Sequence, residues 1–342
     1  MKAKLNVVTG ATGMLGSHLA AQLVERGERV RALVRPGRDT SFLRQMGVEL
    51  IVGDLTKPAS LPRVLDGADL VYHCAARVGD WGPWCIFQRE IIEATDNLLD
   101  ACRTAAVGRV LHVSSITVYG HPRLGPEQLT EDEPLGQNLW VWDYYCRAKI
   151  RAEELCRQYP GDWTVVRPSW TYGPRDRTTL PRALKALSAG RAAILGEGDN
   201  LLNIVYVADV ADGAIRAANH PGARGQAYNL SSEGEVSQRE FLDLLSEVLH
   251  RPRIRRQVPY WLAYWGSLLS EAVGRALSSS HPPLFTRYAV SLIGRPTRFS
   301  TAKARTQLGW IPHVGVREGL QRTVEWYETQ GSSLAALKPA LS

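Results

Sequence analysis

The 342-residue sequence predicts an α/β fold, a doubly wound parallel sheet followed by a smaller, mainly helical C-terminal lobe. Three observations predict it. Short apolar or β-branched runs alternate with helical stretches through the first half, the pattern of a sheet covered on both faces. A glycine-rich turn joins the first run to the first helix. Beyond about residue 231 helical patterns take over, separated by Pro and Ser clusters such as SSSHPP at 278–283.

The elements follow in order. Strands are expected at 5–8, 29–34, 49–52, 70–73, 109–114 and 163–167, alternating with helices at 14–26, 40–46, 60–66, 85–106 and 143–158. After Tyr172-Gly173-Pro174 the alternation loosens into a helix near 180–189 and a GEGDN turn at 196–200, then returns at 203–207 and 209–219. Helices at 237–249, 259–277 and 315–329 close the chain. This divides it into a nucleotide-binding domain, 1–176 with 203–230, and a substrate lobe, 177–202 with 231–342. No internal repeat or low-complexity tract interrupts the pattern.

Composition narrows the function classes. With 44% hydrophobic and 22% charged residues, the chain reads as an ordinary globular protein. The net charge of +7 comes from scattered Lys and Arg without a sustained run, so no nucleic-acid partner is expected. The five cysteines form no CxxC pair, which argues against a metal site or a disulfide framework and for a reducing, cytoplasmic setting. Met1-Lys2-Ala3-Lys4 runs straight into the first strand, without the pattern of a signal peptide. No stretch has the length of a membrane span. Segment 258–273, with Trp261, Trp265 and one charge, Glu271, suits a partly buried helix; a weak peripheral membrane contact or the wall of an apolar pocket is the alternative.

Thr9-Gly10-Ala11-Thr12-Gly13-Met14-Leu15-Gly16 lies where the first strand turns into the first helix, the context in which such glycines mean dinucleotide binding. Gly10, Thr12, Gly13, Met14, Leu15 and Gly16 are therefore candidate cofactor contacts, the helix N-terminus favouring a pyrophosphate. A turn that is glycine-rich only for packing is the competing explanation.

The second strand ends in Val34-Arg35, where an acidic residue would read the ribose of NAD. Arg35 and Arg38 can instead pair with a 2′-phosphate, so NADP is expected over NAD, unless Arg35 is a plain surface arginine. Asp54-Leu55 after the third strand would hold the adenine edge. After the fourth strand, Ala75 and Ala76 of His73-Cys74-Ala75-Ala76 would line the cofactor, with His73 structural.

Tyr145 and Lys149 stand one helical turn apart on one face. A phenol is a poor base near neutral pH, and a neighbouring ammonium lowers its pKa; the same Lys149 can hold the nicotinamide ribose. Alone the pair is a common surface motif. It follows Ser114-Ser115 at the carboxyl end of the fifth strand, where ligands of such folds bind, and Ser115 is the candidate to hold a substrate oxygen. No GxSxG elbow supports a serine hydrolase.

These motifs resemble the extended short-chain dehydrogenase/reductase superfamily over nearly the whole chain: TGATGMLG, HCAA, VSSITVYG, YCRAK, VVRPSWTYGP (165–174), NIVYVADVADG (203–213) and LGWIPHVGVREGLQRTVEWY (308–327) stand in its order. VGDWGPW (78–84) and GEGDNLLNIVYV are similar to the 3β-hydroxysteroid dehydrogenase-like branch, to sterol and 2-alkyl-3-ketoacid reductases. The resemblance implies a Rossmann domain, Ser115, Tyr145 and Lys149 as catalytic trio, and Pro168 beside the nicotinamide; a homodimer is expected. Two positions depart from it. The usual active-site Asn is Ile91, and the usual Ser before the lysine is Ala148.

Three functions follow, in order: an NADP(H)-dependent enzyme interconverting a secondary alcohol and a ketone on an apolar small molecule; a nucleotide-sugar epimerase or dehydratase; and a catalytically idle NADP-binding regulator. Trp81, Trp84, Trp140, Trp142 and Trp170 favour a hydrophobic pocket. Arg175, Arg177 and Arg182 would grip a diphosphate in the second reading.

Overall fold

The structure, a computed structural model, describes residues 3–122, 128–177, 181, 183, 186–187, 190, 192–232, 234–279, 281–283 and 285–329. Arg182 and most of the helix expected near 180–189 lie outside the described residues.

The first strand, β1 (Leu5–Thr9), is wholly buried and turns through Gly10 into α1 (Met14–Glu25). Then come β2 (Arg29–Val34), α2 (Ser41–Gln45), β3 (Glu49–Val52), α3 (Pro62–Leu65) and β4 (Leu70–His73). The single helix expected at 85–106 is three pieces: α4 (Trp84–Phe87), a π turn at Gln88–Glu93, and α5 (Ala94–Thr104). Where that turn meets α5 the Thr95 hydroxyl donates to the Ile91 carbonyl at 2.6 Å, an extra bond of the kind that accompanies local rewinding. Next are β5 (Arg109–Val113), α6 (Tyr144–Arg157) and β6 (Asp162–Pro168).

Five short strands and one long one follow in β7 (Trp170–Tyr172), β8 (Ile194–Leu195), β9 (Leu201–Leu202), β10 (Ile204–Tyr206), β11 (Gln226–Leu230) and β12 (Val236–Ser237), with α7 (Val207–Asn219) between β10 and β11. The remainder is α8 (Gln238–Val248), β13 (Gln257–Val258), α9 (Tyr260–Ala276), α10 (Arg287–Gly294), α11 (Ala302–Leu308) and α12 (Val316–Thr329).

Seven strands pair in parallel in the order β11-β6-β5-β4-β1-β2-β3. The order reverses between β1 and β4, and a switch of this kind opens a ligand crevice at the strands' carboxyl ends. Every residue of β1, β4 and β5 is buried, as parallel strands covered on both faces require. One covering layer holds α1 against α7. The other packs Leu98, Leu99 and Cys102 of α5 with Cys156 of α6.

Two expectations shift. The strand expected at 203–207 forms as β10, but it pairs with β7 outside the central sheet. The outer strand is β11, which the sequence reading did not mark and whose mixed composition, QAYNL, hides the signal. Trp170 packs on Phe241, tilted at 57° with ring centroids 5.5 Å apart, in the core beside α8.

Candidate active site

The glycine turn fits a dinucleotide. Gly10 has φ +70°, and a Cβ there would lie 2.7 Å from the Ala75 nitrogen; one on Gly16 would lie 2.3 Å from the Gly10 carbonyl oxygen. Only bare backbone allows β1, α1 and the β4 exit to meet this closely. Gly13 is exposed before α1, while Met14 and Leu15 reach towards the core beside β7 and β10. Backbone donors of the first turn of α1 thus open onto the crevice.

A neutral hydrogen-bond chain fixes the crevice floor. Thr95 gives its proton to the Ile91 carbonyl, so His73 Nε2 must donate to the Thr95 oxygen at 3.0 Å. His73 Nδ1 then accepts from the Thr9 hydroxyl at 2.9 Å, and that oxygen accepts the Ala75 N–H at 3.2 Å. Burial, aided by the Lys149 charge, pushes the His73 pKa down to about 3, so the ring stays neutral. His73 is a structural link between β1, β4 and α5. Ala76 packs alongside, against Phe87 and Ile91.

At the β2 exit, Arg35 and Arg38 are exposed and have no carboxylate partner among the described residues. Asp39, in the same loop, is turned onto the Ser41 amide and hydroxyl. Asp54 caps its own turn, one oxygen accepting from the Thr56 amide and hydroxyl at 2.9 and 3.0 Å; Leu55 is buried beside it. Pro168 is buried at the end of β6, in register with Leu230.

The two serines after β5 separate cleanly. Ser114 is buried and donates to Glu153 Oε2 at 2.6 Å, on the underside of α6. Ser115 caps the short turn Ile116–Tyr119, and its side chain lies beside Tyr145 and favours the phenolate. Lys149 is buried and donates to the Val113 carbonyl at 2.8 Å. Ser115, Tyr145 and Lys149 therefore meet at the β5 exit, on the opposite side of β4 from the glycine turn.

Their protonation differs from the expectation that Lys149 lowers the phenol. Burial raises the Tyr145 pKa to about 12, Cys146 adds to it, and only the Ser115 hydrogen bond opposes. Burial pushes the Lys149 ammonium down to about 8, against the pull of Cys74 and Glu153. The group poised near neutral pH is the lysine. Tyr145 is a phenol, suited to giving a proton to a developing alkoxide.

Beneath the site lies a buried ion pair that the motifs did not single out. Glu153 and Arg167 are both fully buried, 2.6 Å apart, and Arg157 joins from the rim at 2.9 Å. Burial resists the Glu153 charge, but Arg167, Ser114 and Arg157 outweigh it and hold the carboxyl below its usual range. Arg167 also donates to the Tyr119 hydroxyl at 2.6 Å, which donates to Asn229 at 2.7 Å. The only signal in sequence was position: Glu153 stands one turn beyond Lys149.

A cavity of about 70 Å³ opens beside Cys146, lined among others by Thr117, His121, Asp143, Tyr288 and Arg295. Tyr288 meets the Tyr145 ring edge-on at 6.2 Å, and its own phenol is raised well above its usual value by burial and by Tyr145. His121 is bonded to Asp143 at 2.8 Å and stacked under Trp140 at 3.4 Å. Trp140 leans on Tyr264 of α9, while Trp81 and Trp142 hold the Arg275 guanidinium between them at 4.6 and 5.1 Å. Trp84 packs on Tyr144. The expected apolar wall is thus aromatic but threaded by arginine, and Arg175 is elsewhere, 3.9 Å over Phe42 of α2.

Comparison with known proteins places this geometry. The sequence model of the NAD dependent epimerase/dehydratase family matches residues 6–231. The chain belongs to that family. It is an NAD(P)-dependent enzyme of the extended short-chain dehydrogenase/reductase superfamily, in its 3β-hydroxysteroid dehydrogenase-like branch. Among members of the family it is 31% identical to 2-alkyl-3-oxoalkanoate reductase of Stenotrophomonas maltophilia (strain K279a), over 92% of this chain and 97% of that one. It is 33% identical to 4-hydroxy-2-methyl-3-oxo-4-farnesyl-3,4-dihydroquinoline-1-oxide ketoreductase of Stigmatella aurantiaca, over 92% and 93%. Of solved members, the crystal structure of gox2253 superposes with a TM-score of 0.79 at 30% identity, over 96% and 99%. UDP-glucuronic acid 4-epimerase from Bacillus cereus, in complex with NAD, superposes at 0.72 with 21% identity over 95% and 99%, a likeness of fold.

Proposed function

We propose that the protein is an NADP(H)-dependent oxidoreductase that interconverts a secondary alcohol and a ketone on an apolar substrate, such as a 2-alkyl-3-oxo acid or a sterol-like 3-ketone. The observation that carries this reading is the convergence of Ser115, Tyr145 and the buried Lys149 at the β5 exit, with a protonated phenol beside an aromatic cleft. The bound nicotinamide supplies or accepts the hydride. Ser115 holds the substrate oxygen, Tyr145 gives it the proton in the reducing direction, and Lys149 holds the ribose and restores the proton. Val34-Arg35 at the β2 exit, with Asp39 turned onto Ser41, supports NADP over NAD.

The reductase and ketoreductase relatives, similar over nine-tenths of the chain, support the substrate class. The lobe formed by 177–202 and 231–342 would close over it, and the assembly would be a cytoplasmic homodimer. Arg175, stacked on α2, favours this reading over a nucleotide-sugar epimerase. NADPH oxidation, followed with a 2-alkyl-3-oxo acid, a 3-keto sterol and UDP-glucose in parallel, tests it. Turnover with either ketone supports the proposal; thermal stabilisation by UDP-glucose alone replaces it with the epimerase.

A further inference from the structure

Helix α9 carries its charged groups inward and its large apolar groups outward. Trp261, Leu262, Trp265, Leu269, Val273 and Leu277, along the helix and just past its end, are each at least half exposed. No charged side chain lies on that face. The helix has two charges, and both are consumed inside. Glu271 is buried and takes the Arg287 amide and guanidinium at 2.6 and 2.8 Å, while Arg275 lies between Trp81 and Trp142. A helix at a water-facing surface shows the opposite arrangement, and an uncharged patch with two exposed indoles marks a contact surface.

We infer that this face docks on the surface of an anionic phospholipid bilayer. The helix, 17 residues or about 25 Å long, is too short and too polar on its inner side to cross, and among the described residues no helix is long and apolar enough to do so. Lying in the plane, it would bury Trp261, Trp265 and Leu269 at the boundary of headgroups and acyl chains, where indoles partition well. The segment leading into it supplies the charge. Arg251, Arg253, Arg255 and Arg256 fall within six residues, and Arg255 and Arg256 are exposed with no carboxylate partner among the described residues. Anionic headgroups neutralise such a cluster. A second copy of the chain would present the same uncharged face and the same arginines, and so offers nothing to balance them.

The inner face of α9 walls the cleft through Tyr264 on Trp140 and Arg275 on Trp81. Docking therefore sets the cleft against the bilayer. Entry of an apolar substrate from the lipid rests on the proposed ketone chemistry; docking itself does not.

Flotation of the full chain with vesicles of phosphatidylcholine containing 30 mol% phosphatidylglycerol, ~30% anionic lipid of the kind that attracts polybasic segments, reads this without turnover. The wild type is expected to float with these vesicles and to be released by salt. Arg255→Gln and Arg256→Gln should each lower the partition coefficient about fivefold. Trp261→Ser/Trp265→Ser/Leu269→Ser should lower it by more than about 100-fold, with circular dichroism and NADPH binding unchanged. No flotation of the wild type at any anionic fraction overturns the inference. So does a dimer in sedimentation that the triple variant abolishes, which would assign the face to a second copy.

Discussion

Replacing Glu153 by Gln removes the negative member of a pair in which neither side chain reaches solvent. Breaking such a pair from one side costs about 3–5 kcal/mol, because the remaining charge keeps its desolvation penalty without its partner. Arg167 retains the Tyr119 hydroxyl and the Glu131 carbonyl, which places the cost at the lower end, about 3 kcal/mol. For a chain of this size each kcal/mol moves Tm by about 2 °C, so thermal unfolding should shift down by about 6 °C. The sign with pH follows from the lowered Glu153 pKa: the stabilisation is present above the ordinary carboxylate range, near 4.3, and is lost as pH falls through the lower folded value.

Function should change in a way that loss of stability alone does not produce. Glu153 pulls the Lys149 pKa upward from one turn away. Its neutralisation should therefore move the alkaline limb of kcat/KM to lower pH, while looser anchoring of Ser114 lowers kcat about tenfold. Calorimetry and pH profiles of Glu153→Gln beside Glu153→Asp, which keeps the charge, check both. A Tm within 2 °C (about 1 kcal/mol) of wild type, or an unmoved limb, refutes the reasoning.

Tyr145→Phe should lower turnover by about 10² to 10⁴ with NADP(H) affinity nearly unchanged, measured by steady-state kinetics and calorimetry; a variant that keeps most of its turnover shifts attention to Tyr144 or Tyr119. Lys149, held at about 8, loses its charge as pH rises through that value, so cofactor binding should weaken above about pH 8 with the fold intact; an affinity flat to about pH 9 contradicts the assignment. Over about pH 8 to 10.4 the unfolded lysine binds the proton that the folded one has lost, so Lys149 itself makes stability rise with pH in that window. Arg35→Ala should weaken NADP(H) about tenfold or more and leave NAD(H) unchanged, the worth of one charge-assisted pair; tighter binding of NAD(H) by the wild type defeats the cofactor reading.

What was legible in sequence was whatever depends on local rules. The glycine turn reads directly because φ +70° at Gly10 and a 2.7 Å approach to Ala75 admit no side chain. The Tyr145–Lys149 spacing reads because a helix repeats every 3.6 residues. Strands β1, β4 and β5 read because burial on both faces leaves them mainly apolar, with Asn6, Thr9, His73, Arg109 and His112 the buried exceptions. By contrast, β11 hid because Gln226, Tyr228 and Asn229 are polar residues satisfied by tertiary partners, Tyr228 by Gln307 and Asn229 by Tyr119. The ion pair of Glu153 and Arg167 joins residues 14 apart on different elements, and Tyr288 reaches Tyr145 across 143 residues of chain. No periodicity carries such pairings. The direction of the Tyr145 pKa also escaped, since spacing shows that an ammonium is near and not that burial outweighs it.

The two departures from the family pattern become one in three dimensions. Ile91 and Ala148 lie in the same buried cluster, with Phe87 and Ala152, where the π turn meets α6. An Asn at position 91 and a Ser at 148 would be polar groups facing each other across that contact; here both sides are apolar, so neither leaves an unsatisfied partner. Restoring the Asn alone would place an amide against Phe87, Ala148 and Ala152, and a buried polar group without a hydrogen bond costs about 1–3 kcal/mol. The Ile91 carbonyl, which accepts the Ala94 amide at the end of the π turn, also takes the Thr95 hydroxyl, and the bonding continues through His73 and Thr9 to the Ala75 amide beneath the crevice. The loss of one polar side chain therefore leaves the crevice floor connected through backbone and hydroxyl groups, and the chemistry proposed for the β5 exit would fall to Ser115, Tyr145 and Lys149 with no amide side chain from position 91.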